Sequence, residues 1–181
     1  MNLLTQKKLR DELNYNPHTG DSTRVNSRGR WLSGQVAGTI NASGYIVIQV
    51  QRRHMYAHRL AWLWVYGDMP DHEIDHIDGN RSNNRLNNLR PATSRQNKHN
   101  ATLRSDNTYG KGVVFHIGRR KPYQARICIN GKQTSIGYFA TPNEAREAYA
   151  ESASIHFGEF ANPGIVAAND NDTNESIEKA V

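Results

Sequence analysis

The side chains best suited to chemistry lie between positions 74 and 97 of the 181-residue sequence. Asp75 offers carboxylate oxygens and Asn97 an amide oxygen, and these hard ligands suit Mg²⁺ or Mn²⁺. His76 titrates near neutral pH and can therefore take a proton from water. A carboxylate and an amide on one divalent metal ion, beside a histidine, suffice for phosphodiester hydrolysis, because the metal stabilises developing charge while the histidine generates the nucleophile. The sequence thus predicts a hydrolytic site with one divalent cation, Mg²⁺ or Mn²⁺.

Each of these residues also has an ordinary structural interpretation. Asp75 alone would serve as the salt-bridge partner of a nearby arginine, His76 as a half-buried histidine, and Asn97 as a helix-capping or solvated side chain. His99 lies close enough in sequence to compete for a ligand position. It is the combination of these residues in one basic segment that favours an active site.

The elements that must position these residues follow the order strand, loop, strand, helix. Residues 74–77 and the segment around Leu89 predict two strands joined by a turn at Asp78 and Gly79 and an asparagine-rich loop. Thr93 or Ser94 can cap a helix that carries Asn97. Neighbouring residues on a regular strand point to opposite faces, so Asp75 and His76 can share a site only if the strand bends or ends there.

Upstream, residues 3–15 predict a short helix, and glycines punctuate short strands. The clearest strand covers residues 45–50 and returns through residues 55–57, before a helix over residues 58–67 that ends at Gly67. Downstream, residues 112–117, 123–129 and 133–138 predict three strands, with a hairpin turn at Asn130-Gly131. Thr141, Pro142 and Glu144 form a capping box with proline at the first helical position.

These patterns predict an α+β fold class with two domains. We expect a nuclease domain with a β-rich N-terminal part over residues 1–100 and a linker over residues 101–110. A small three-stranded antiparallel sheet with one packed helix is expected over residues 111–162, followed by a disordered tail over residues 163–181.

Charge indicates the kind of partner. The formal net charge is +6, and residues 80–126 contain eleven lysines and arginines against a single acid, Asp106. Such a block is neutralised most simply by nucleic acid phosphates, although a solvated surface is the plainer alternative. The single cysteine, Cys128, excludes an intramolecular disulfide and a cysteine-rich zinc site. No apolar run approaches the roughly 18 residues that a membrane span needs, so no membrane partner is expected.

The segment around Asp75 resembles the HNH homing endonucleases of phages and mobile introns over roughly residues 16–100. The residues that carry this resemblance are His58-Arg59, Asp75-His76-Ile77-Asp78-Gly79-Asn80-Arg81, Asn84-Arg85-Leu86, Asn88-Leu89-Arg90 and Gln96-Asn97.

The resemblance implies a ββα-metal fold wrapped around one divalent ion. It implies that Asp75 and Asn97 bind the metal, that His76 is the general base, and that Asn88 ties the loop and helps to hold the histidine. Asn97 stands where many members carry histidine. Arg59 either packs at the start of its helix or holds the scissile phosphate. Three further arginines are expected to contact DNA phosphates, namely Arg81, Arg85 and Arg90.

The C-terminal segment resembles the Apetala/ethylene-response-factor DNA-binding domain over about residues 110–162. The matching residues are Gly112-Val113, residues 123–127, residues 136–139, Thr141, Glu144-Ala145 and Ala148-Tyr149. In that domain a three-stranded sheet enters the DNA major groove. The resemblance implies DNA contacts by Arg119, Tyr123, Arg126 and Lys132, although Tyr123 stands where the plant domains commonly carry tryptophan.

The sequence therefore predicts a metal-dependent, homing-type DNA endonuclease acting on double-stranded DNA. Cytoplasmic action is expected, in the cytoplasm of the host cell if the protein is encoded by a phage. The alternative is a non-catalytic, sequence-specific DNA-binding regulator, and RNA binding is a third possibility. Nicking or double-strand cleavage, and a monomer or a dimer, remain open at this point.

Overall fold

The computed structural model describes residues 4–101 and 108–162. The chain divides into two compact units, Met1–Ala101 and Thr102–Val181. Both units combine short antiparallel sheets with helices, which confirms the predicted α+β class. Part of the predicted linker and the whole predicted tail, residues 163–181, lie outside the described residues.

The first unit contains three helices and seven strands within its described part. They are α1 (Gln6–Glu12), β1 (Leu13–Tyr15), β2 (Ser22–Arg24), β3 (Thr39–Ile40), β4 (Ile46–Val50), β5 (Arg53–Tyr56), α2 (Ala57–Tyr66), β6 (Glu73–His76), β7 (Leu89–Ala92) and α3 (Ser94–Asn100), with a 3₁₀ turn at Leu86–Asn88. The strands form the sheets β1-β2, β3-β4-β5 and β6-β7.

The N-terminal helix is shorter than the sequence pattern suggests. The Thr5 side chain caps α1 by accepting a hydrogen bond from the Lys8 main-chain N–H. The helix stops at Glu12 because Leu13 turns extended and pairs with Arg24 in the β1-β2 hairpin. Tertiary pairing thus overrides a helical pattern that residues 13–15 would otherwise continue.

Helix α2 joins the two cores of this unit. Leu60 and Leu63 pack with Leu9, Ile48 and other apolar side chains of α1 and β4, whereas Ala61 packs with Ile74 of β6 and Leu89 of β7. Gly67 ends the helix in the left-handed conformation with φ +92°, as its position predicts. The hairpin that carries Asp75 and His76 is therefore fixed against a buried helix.

The second unit is a three-stranded antiparallel sheet with one long helix. Its elements are β8 (Val113–Phe115), β9 (Tyr123–Ile129), β10 (Lys132–Phe139) and α4 (Pro142–Phe157), with a 3₁₀ turn at Gly158–Phe160. The predicted Asn130-Gly131 turn joins β9 to β10, and Thr141 and Glu144 form the predicted capping box. Helix α4 packs Ala145, Tyr149 and Ala153 against Val113, Ala125 and Ile127.

No helix within residues 4–101 and 108–162 combines the length and apolar character needed to cross a bilayer.

Candidate active site

The site is built on the β6-β7 hairpin and on α3. Asp75 pairs with Arg90 across the hairpin, and His76 pairs with Leu89. Helix α3 begins at a capping box in which Thr93 and Gln96 satisfy each other's main-chain N–H groups. The observed order of strand, loop, strand and helix is the predicted one, and β6 ends at His76. Asp75 and His76, the two residues to which the sequence assigned chemistry, thus lie side by side at the end of a strand.

Asp75 is buried, with 4% of its surface exposed, and both of its oxygens are engaged. Arg90 donates to Oδ2 from Nε at 2.9 Å and approaches the same oxygen with Nη2 at 2.8 Å. The Asn100 amide nitrogen lies 3.0 Å from each carboxylate oxygen and 2.6 Å from the His76 main-chain oxygen. Three oxygen atoms therefore converge on the amide group of Asn100.

Asn97 contacts Glu73 and not Asp75. Its amide nitrogen donates to Oε2 of Glu73 at 2.6 Å, and Ser94 donates to the other oxygen of Glu73. Glu73 and Asp75 share one face of β6, while Asn97 and Asn100 share one face of α3. The structure therefore corrects the predicted pairing: Asn100, rather than Asn97, is the asparagine that contacts Asp75.

His76 is held by the Asn-rich loop between β6 and β7. Its Nε2 lies 3.1 Å from Oδ1 of Asn84, whose amide nitrogen donates to the Ser82 main-chain oxygen. Because an amide oxygen can only accept, Nε2 carries the hydrogen and Nδ1 is the basic nitrogen. Burial lowers the pKa of His76, although the Asn84 hydrogen bond and nearby carboxylates oppose that shift. The neutral ring is the form that a general base requires.

Asn88 ties the loop, but it does not touch the histidine. Its amide nitrogen donates to Oδ1 of Asp78 and to the Asn83 main-chain oxygen, and its Oδ1 accepts from the Asp78 main-chain N–H. Burial raises the pKa of Asp78, but hydrogen bonds from Asn83 and Asn88 outweigh burial, so the net pKa is lowered. The family resemblance implies that Asn88 both ties the loop and helps to hold His76. In the structure Asn88 ties the loop, and the side chain that contacts the His76 ring is that of Asn84.

Asn84 is itself fixed by the N-terminal hairpin. It is 2% exposed, and its main-chain oxygen accepts a 2.7 Å hydrogen bond from the Tyr15 hydroxyl, whose pKa burial raises to about 12. A Cβ on Gly20, at φ +82°, would come within 2.6 Å of the Asn84 and Arg85 main chain. Only glycine allows the main chain at position 20 to lie this close to that of Asn84 and Arg85. The turn after β1 therefore supports the loop that orients His76.

An aromatic cluster covers His76 on the side of β4, β5 and α2. The His58 ring meets the His76 ring edge-on, with centroids 5.1 Å apart. Tyr56 stacks on His58, and Tyr45 contacts both His58 and His76. Arg81 lies over the Tyr45 ring at 5.0 Å and donates to the Ser43 main-chain oxygen. This arrangement restricts the rotation of the His76 imidazole.

The arginines assigned to phosphates occupy different environments. Arg81 and Arg85 are exposed. Arg59 donates to the main-chain oxygens of Pro70 and His72, which matches its packing interpretation. Arg90 is largely buried against Asp75, with 11% of its side chain exposed. The structure therefore corrects the assignment of Arg90, because a guanidinium committed to a buried carboxylate is not a surface phosphate contact.

In the second unit, the strand alternation separates the residues assigned to DNA contacts. Arg126 is exposed and projects from β9 opposite the face that carries Ala125 and Ile127. Lys132 is exposed at the start of β10, and Arg119 lies 4.6 Å over the Tyr138 ring.

Tyr123 departs from its predicted role. It shares the face of Ala125, packs near Val113 and contacts the Tyr109 and Phe115 rings. Tyr123 therefore belongs to the core side of the sheet.

The donor chemistry around Asp75 fits a hard divalent cation. Within residues 4–101 and 108–162, no three histidine, cysteine, aspartate or glutamate side chains cluster as a metal site. The Asp75 carboxylate and the His76 main-chain oxygen instead supply oxygen ligands; the Asn100 side chain directs its amide nitrogen at them here and carries an amide oxygen as a further one. Mg²⁺ commonly binds one or two carboxylates and completes its coordination with water and substrate phosphate. The residues present thus fit such an ion.

The family context comes from comparisons with known proteins. A family model described as HNH endonuclease matches residues 55–99, which include Asp75, His76 and Asn84. Over 148 residues the chain is 34% identical to an uncharacterized HNH endonuclease of Acanthamoeba polyphaga mimivirus, which covers 81% of this chain and 72% of that protein. The chain belongs to the HNH endonuclease family. The predicted enzyme class, an HNH-type endonuclease, is confirmed.

Two further similarities accompany this membership. This HNH endonuclease is 34% identical over 83 residues to Protein 3.8 of Escherichia phage T7, and the match covers 45% of this chain and 65% of that protein. It is 25% identical to the HNH homing endonuclease I-HmuI in a solved structure of DNA binding and cleavage. That match has a TM-score of 0.42 and covers 55% of this chain and 57% of the other.

Two residues of this HNH endonuclease escaped assignment from sequence. Asn84 lay within the matching pattern, but so did several other asparagines, and nothing local distinguishes the one that meets His76. Asn100 lies one position beyond the family match. Helical spacing is the feature of the sequence that points to Asn100. Asn97 and Asn100 are three residues apart and share a helix face, so either side chain could contact the strand that carries Asp75.

Proposed function

We propose that this HNH endonuclease is metal-dependent and hydrolyses phosphodiester bonds of double-stranded DNA. The observation that carries the proposal is the strand end at His76, where the Asp75 carboxylate and Asn100 amide adjoin a neutral, oriented imidazole. Asp75 and Asn100 would hold one Mg²⁺ or Mn²⁺ ion. When bound, that ion supplies stabilisation of the negative charge on the phosphate and on the leaving oxygen.

His76 performs the proton transfer in this proposal. Its Nδ1 takes a proton from water, the resulting hydroxide attacks phosphorus, and the phosphorus–oxygen bond to the leaving group breaks. Asn84 keeps the Nε2 hydrogen engaged, so that the lone pair of Nδ1 stays available. The aromatic rings of Tyr45 and His58 limit the orientations of the imidazole. Asn84 thus acts as a positioning residue for the base.

DNA is proposed as the substrate because exposed cations lie on the loop beside this site, and further exposed cations lie in the second unit. Arg81 and Arg85 are exposed on the loop that holds His76. Phosphate contacts by such side chains supply sequence-independent affinity. The resemblance of the motif to homing endonucleases suggests a homing-type enzyme in which one site cuts one strand, acting in the cytoplasm.

Cleavage of supercoiled plasmid tests the proposal. With Mg²⁺ or Mn²⁺ we expect nicking by the wild type, and a rate reduced by about 10²- to 10⁴-fold in His76→Ala, because a general base contributes that range. Asn100→Ala should weaken the apparent metal affinity at least about tenfold. Asn97→Ala is the matched control on the same helix, and it should retain wild-type cleavage because its contact is with exposed Glu73.

The possible outcomes separate the alternatives. Loss of cleavage in Asn97→Ala with full activity in Asn100→Ala would restore the assignment made from sequence. A wild type that binds duplex DNA but cuts neither strand with any divalent ion would favour the non-catalytic regulator. Stronger competition by duplex RNA than by duplex DNA in a mobility-shift assay would indicate an RNA partner.

We further propose that the second unit binds DNA through the face of its sheet opposite α4. Gln124 is held there between His116 at 2.9 Å and the Ser135 hydroxyl at 2.9 Å, and Arg126 is exposed on the same strand face. The DNA major groove admits a β-ribbon, and glutamine and arginine read adenine and guanine there. The resemblance to the Apetala domain supports the same face.

Salt-dependent binding tests this second proposal. Arg126→Ala should weaken duplex binding and reduce the slope of log K against log salt by about 0.9 if Arg126 contacts a phosphate. Arg126→Lys keeps the charge and should retain that slope, while losing sequence preference if the contact is a bidentate one to guanine. An unchanged affinity in both variants would exclude this face from the interface.

A further inference from the structure

Two adjoining cavities lie in the N-terminal part of the first unit, and no residue of the candidate active site lines either of them. The larger has a volume of about 360 Å³ and is lined by residues between positions 11 and 52, and the smaller has a volume of about 290 Å³. Arg24, Trp31 and Gln49 line both cavities and therefore form the wall between them. Small-molecule sites have volumes of roughly 300–1,000 Å³, so the larger cavity can hold a small ligand.

Arg24 brings a buried positive charge to this wall. The residue is 8% exposed, its Nη1 donates to the Gln49 main-chain oxygen at 3.0 Å, and its guanidinium carbon lies 4.5 Å from the centre of the Trp31 ring. Nε is enclosed and has no hydrogen-bond partner among the described residues, so the guanidinium reaches the cavities through its Nη groups. Burial lowers the pKa of Arg24, and Glu12 opposes that shift. Because arginine stays charged at neutral pH, the wall carries a fixed cation.

Two exposed arginines, Arg28 and Arg52, extend the positive charge along the larger cavity. Arg52 lies in the turn between β4 and β5 with φ +64°, and its neighbour Gln51, which also lines the cavity, has φ +48°. Such turns favour asparagine and glycine, because most L side chains adopt the left-handed region only at a conformational cost. The chain thus keeps two long polar side chains at the cavity, where the turn alone favours smaller residues.

The larger cavity is also lined by two carboxylates of α1, Asp11 and Glu12. Glu12 does not neutralise Arg24 directly, because these two described side chains form no ion pair. Carboxylates repel a phosphate placed against them, so a site for phosphate alone does not account for this lining. The amides of Asn26 and Gln51 add hydrogen-bond donors and acceptors. The lining therefore fits a ligand that carries both an anionic group and hydrogen-bond donors.

A nucleotide combines these chemical groups in one molecule. Its phosphate pairs with arginine, the edge of its base forms hydrogen bonds with carboxylates and amides, and its flat ring stacks on an aromatic or guanidinium plane. Trp31 supplies an aromatic ring at the wall of the cavity. Inside a duplex each base is paired and stacked, so only a nucleotide outside the helix can enter a concave site.

We propose that the larger cavity binds one unpaired nucleotide, whose phosphate contacts Arg24 and Arg52 while its base packs against Trp31. The nucleotide comes either from a DNA strand, in which it has no pairing partner, or from solution as a free nucleotide. The site lies beyond the proposed function, because no step of the hydrolysis is assigned to it and binding alone tests it.

The test measures the binding of three probes to the full-length protein in EDTA. The probes are a fully paired DNA duplex, the same duplex with one additional unpaired nucleotide in the middle of one strand, and free deoxynucleoside monophosphates. We expect wild type to bind the duplex with the unpaired nucleotide at least about fivefold more tightly than the paired duplex, because stacking of one base on an aromatic ring contributes at least that factor.

Neighbouring arginines provide matched variants. Arg52→Gln should lose the preference for the unpaired nucleotide, whereas Arg53→Gln should retain it, because Arg53 is exposed but lines neither cavity. Each variant loses one positive charge, so both should bind the paired duplex with similarly reduced affinity. If Arg52→Gln lowers the Tm, Arg28→Gln takes its place, because Arg28 is exposed at the same cavity outside that turn. Quenching of tryptophan fluorescence on binding should disappear in Trp31→Phe, which keeps an aromatic ring.

The remaining outcomes decide between the sources of the nucleotide or overturn the site. A preference that survives in Arg52→Gln, or that is lost in both arginine variants, overturns the inference, because the protein then recognises the distorted duplex or its charge. Quenching by free monophosphates that Trp31→Phe abolishes, without a preference between the duplexes, supports the site with a free nucleotide as its ligand. No preference and no quenching overturn it. Plasmid cleavage by wild type with Mg²⁺ is measured separately, so failure of the proposed function is distinguishable from failure of this site.

Discussion

Asp75→Ala is expected to lower the free energy of unfolding by about 3–5 kcal/mol and to abolish cleavage. Arg90 approaches Oδ2 of Asp75 with two nitrogen atoms, and the two side chains are 11% and 4% exposed. Removing the carboxylate leaves a buried guanidinium without the counter-charge of Asp75, and it also removes two of the oxygen atoms that accept from the Asn100 amide. Urea denaturation with and without EDTA, followed by plasmid cleavage, measures both effects.

A double substitution separates the two roles of Asp75. Replacing Arg90 with methionine as well removes the charge that Asp75 neutralises, so Asp75→Ala/Arg90→Met should recover much of the lost stability. Cleavage should stay absent, because the proposed metal ligand is still missing. A double variant that regains cleavage would show that Asp75 serves only the ion pair. A single variant within about 1 kcal/mol of wild type would show that the pair contributes little.

The elements of this fold were largely predictable because their signals are local. The hairpin turn at Asn130-Gly131 and the capping box at Thr141 and Glu144 depend on a few neighbouring residues, and the structure contains both. The strand, loop, strand and helix around the site were predictable for the same reason. The helix over residues 3–15 was only partly right, because residues 13–15 pair with a strand whose position no local pattern gives.

The site residues were less predictable because their contacts depend on how elements pack. The position of α3 along β6 determines which of its asparagines contacts Asp75. Glu73 lies two residues before Asp75 on the same strand face, and it is Glu73 that contacts Asn97, whereas Asp75 contacts Asn100. The path of the loop carrying Asn84 depends on Tyr15 and Gly20, more than sixty residues away in sequence. Arg90 lies opposite Asp75 through the hairpin register. The plainest interpretation of Asp75 alone, a salt bridge to an arginine, is therefore also true.

Acidification is expected to destabilise this enzyme before its carboxylates begin to titrate. His58 has a folded-state pKa of about 3 against 6.5 for the free side chain. Between these values the unfolded chain binds a proton that the folded chain excludes, so the free energy of unfolding falls as the pH falls. The loss is at most about 1.4 kcal/mol per pH unit for one group, or about 2 kcal/mol at pH 5 relative to pH 7. The lowered pKa of His76 acts in the same direction.

Urea denaturation at pH 7 and pH 5 checks this expectation, and His58→Phe provides the control. The variant has no group to protonate at that position, so its stability should fall by about 2 kcal/mol less than that of wild type over this interval. His54→Phe, the same substitution at an exposed position of β5, controls for the change from histidine to phenylalanine itself. If the free energy of unfolding falls equally in wild type and in His58→Phe between pH 7 and pH 5, then His58 binds a proton in the folded wild-type protein as it does in the unfolded chain. The neutral ring assumed for His58 beside His76 would then be wrong.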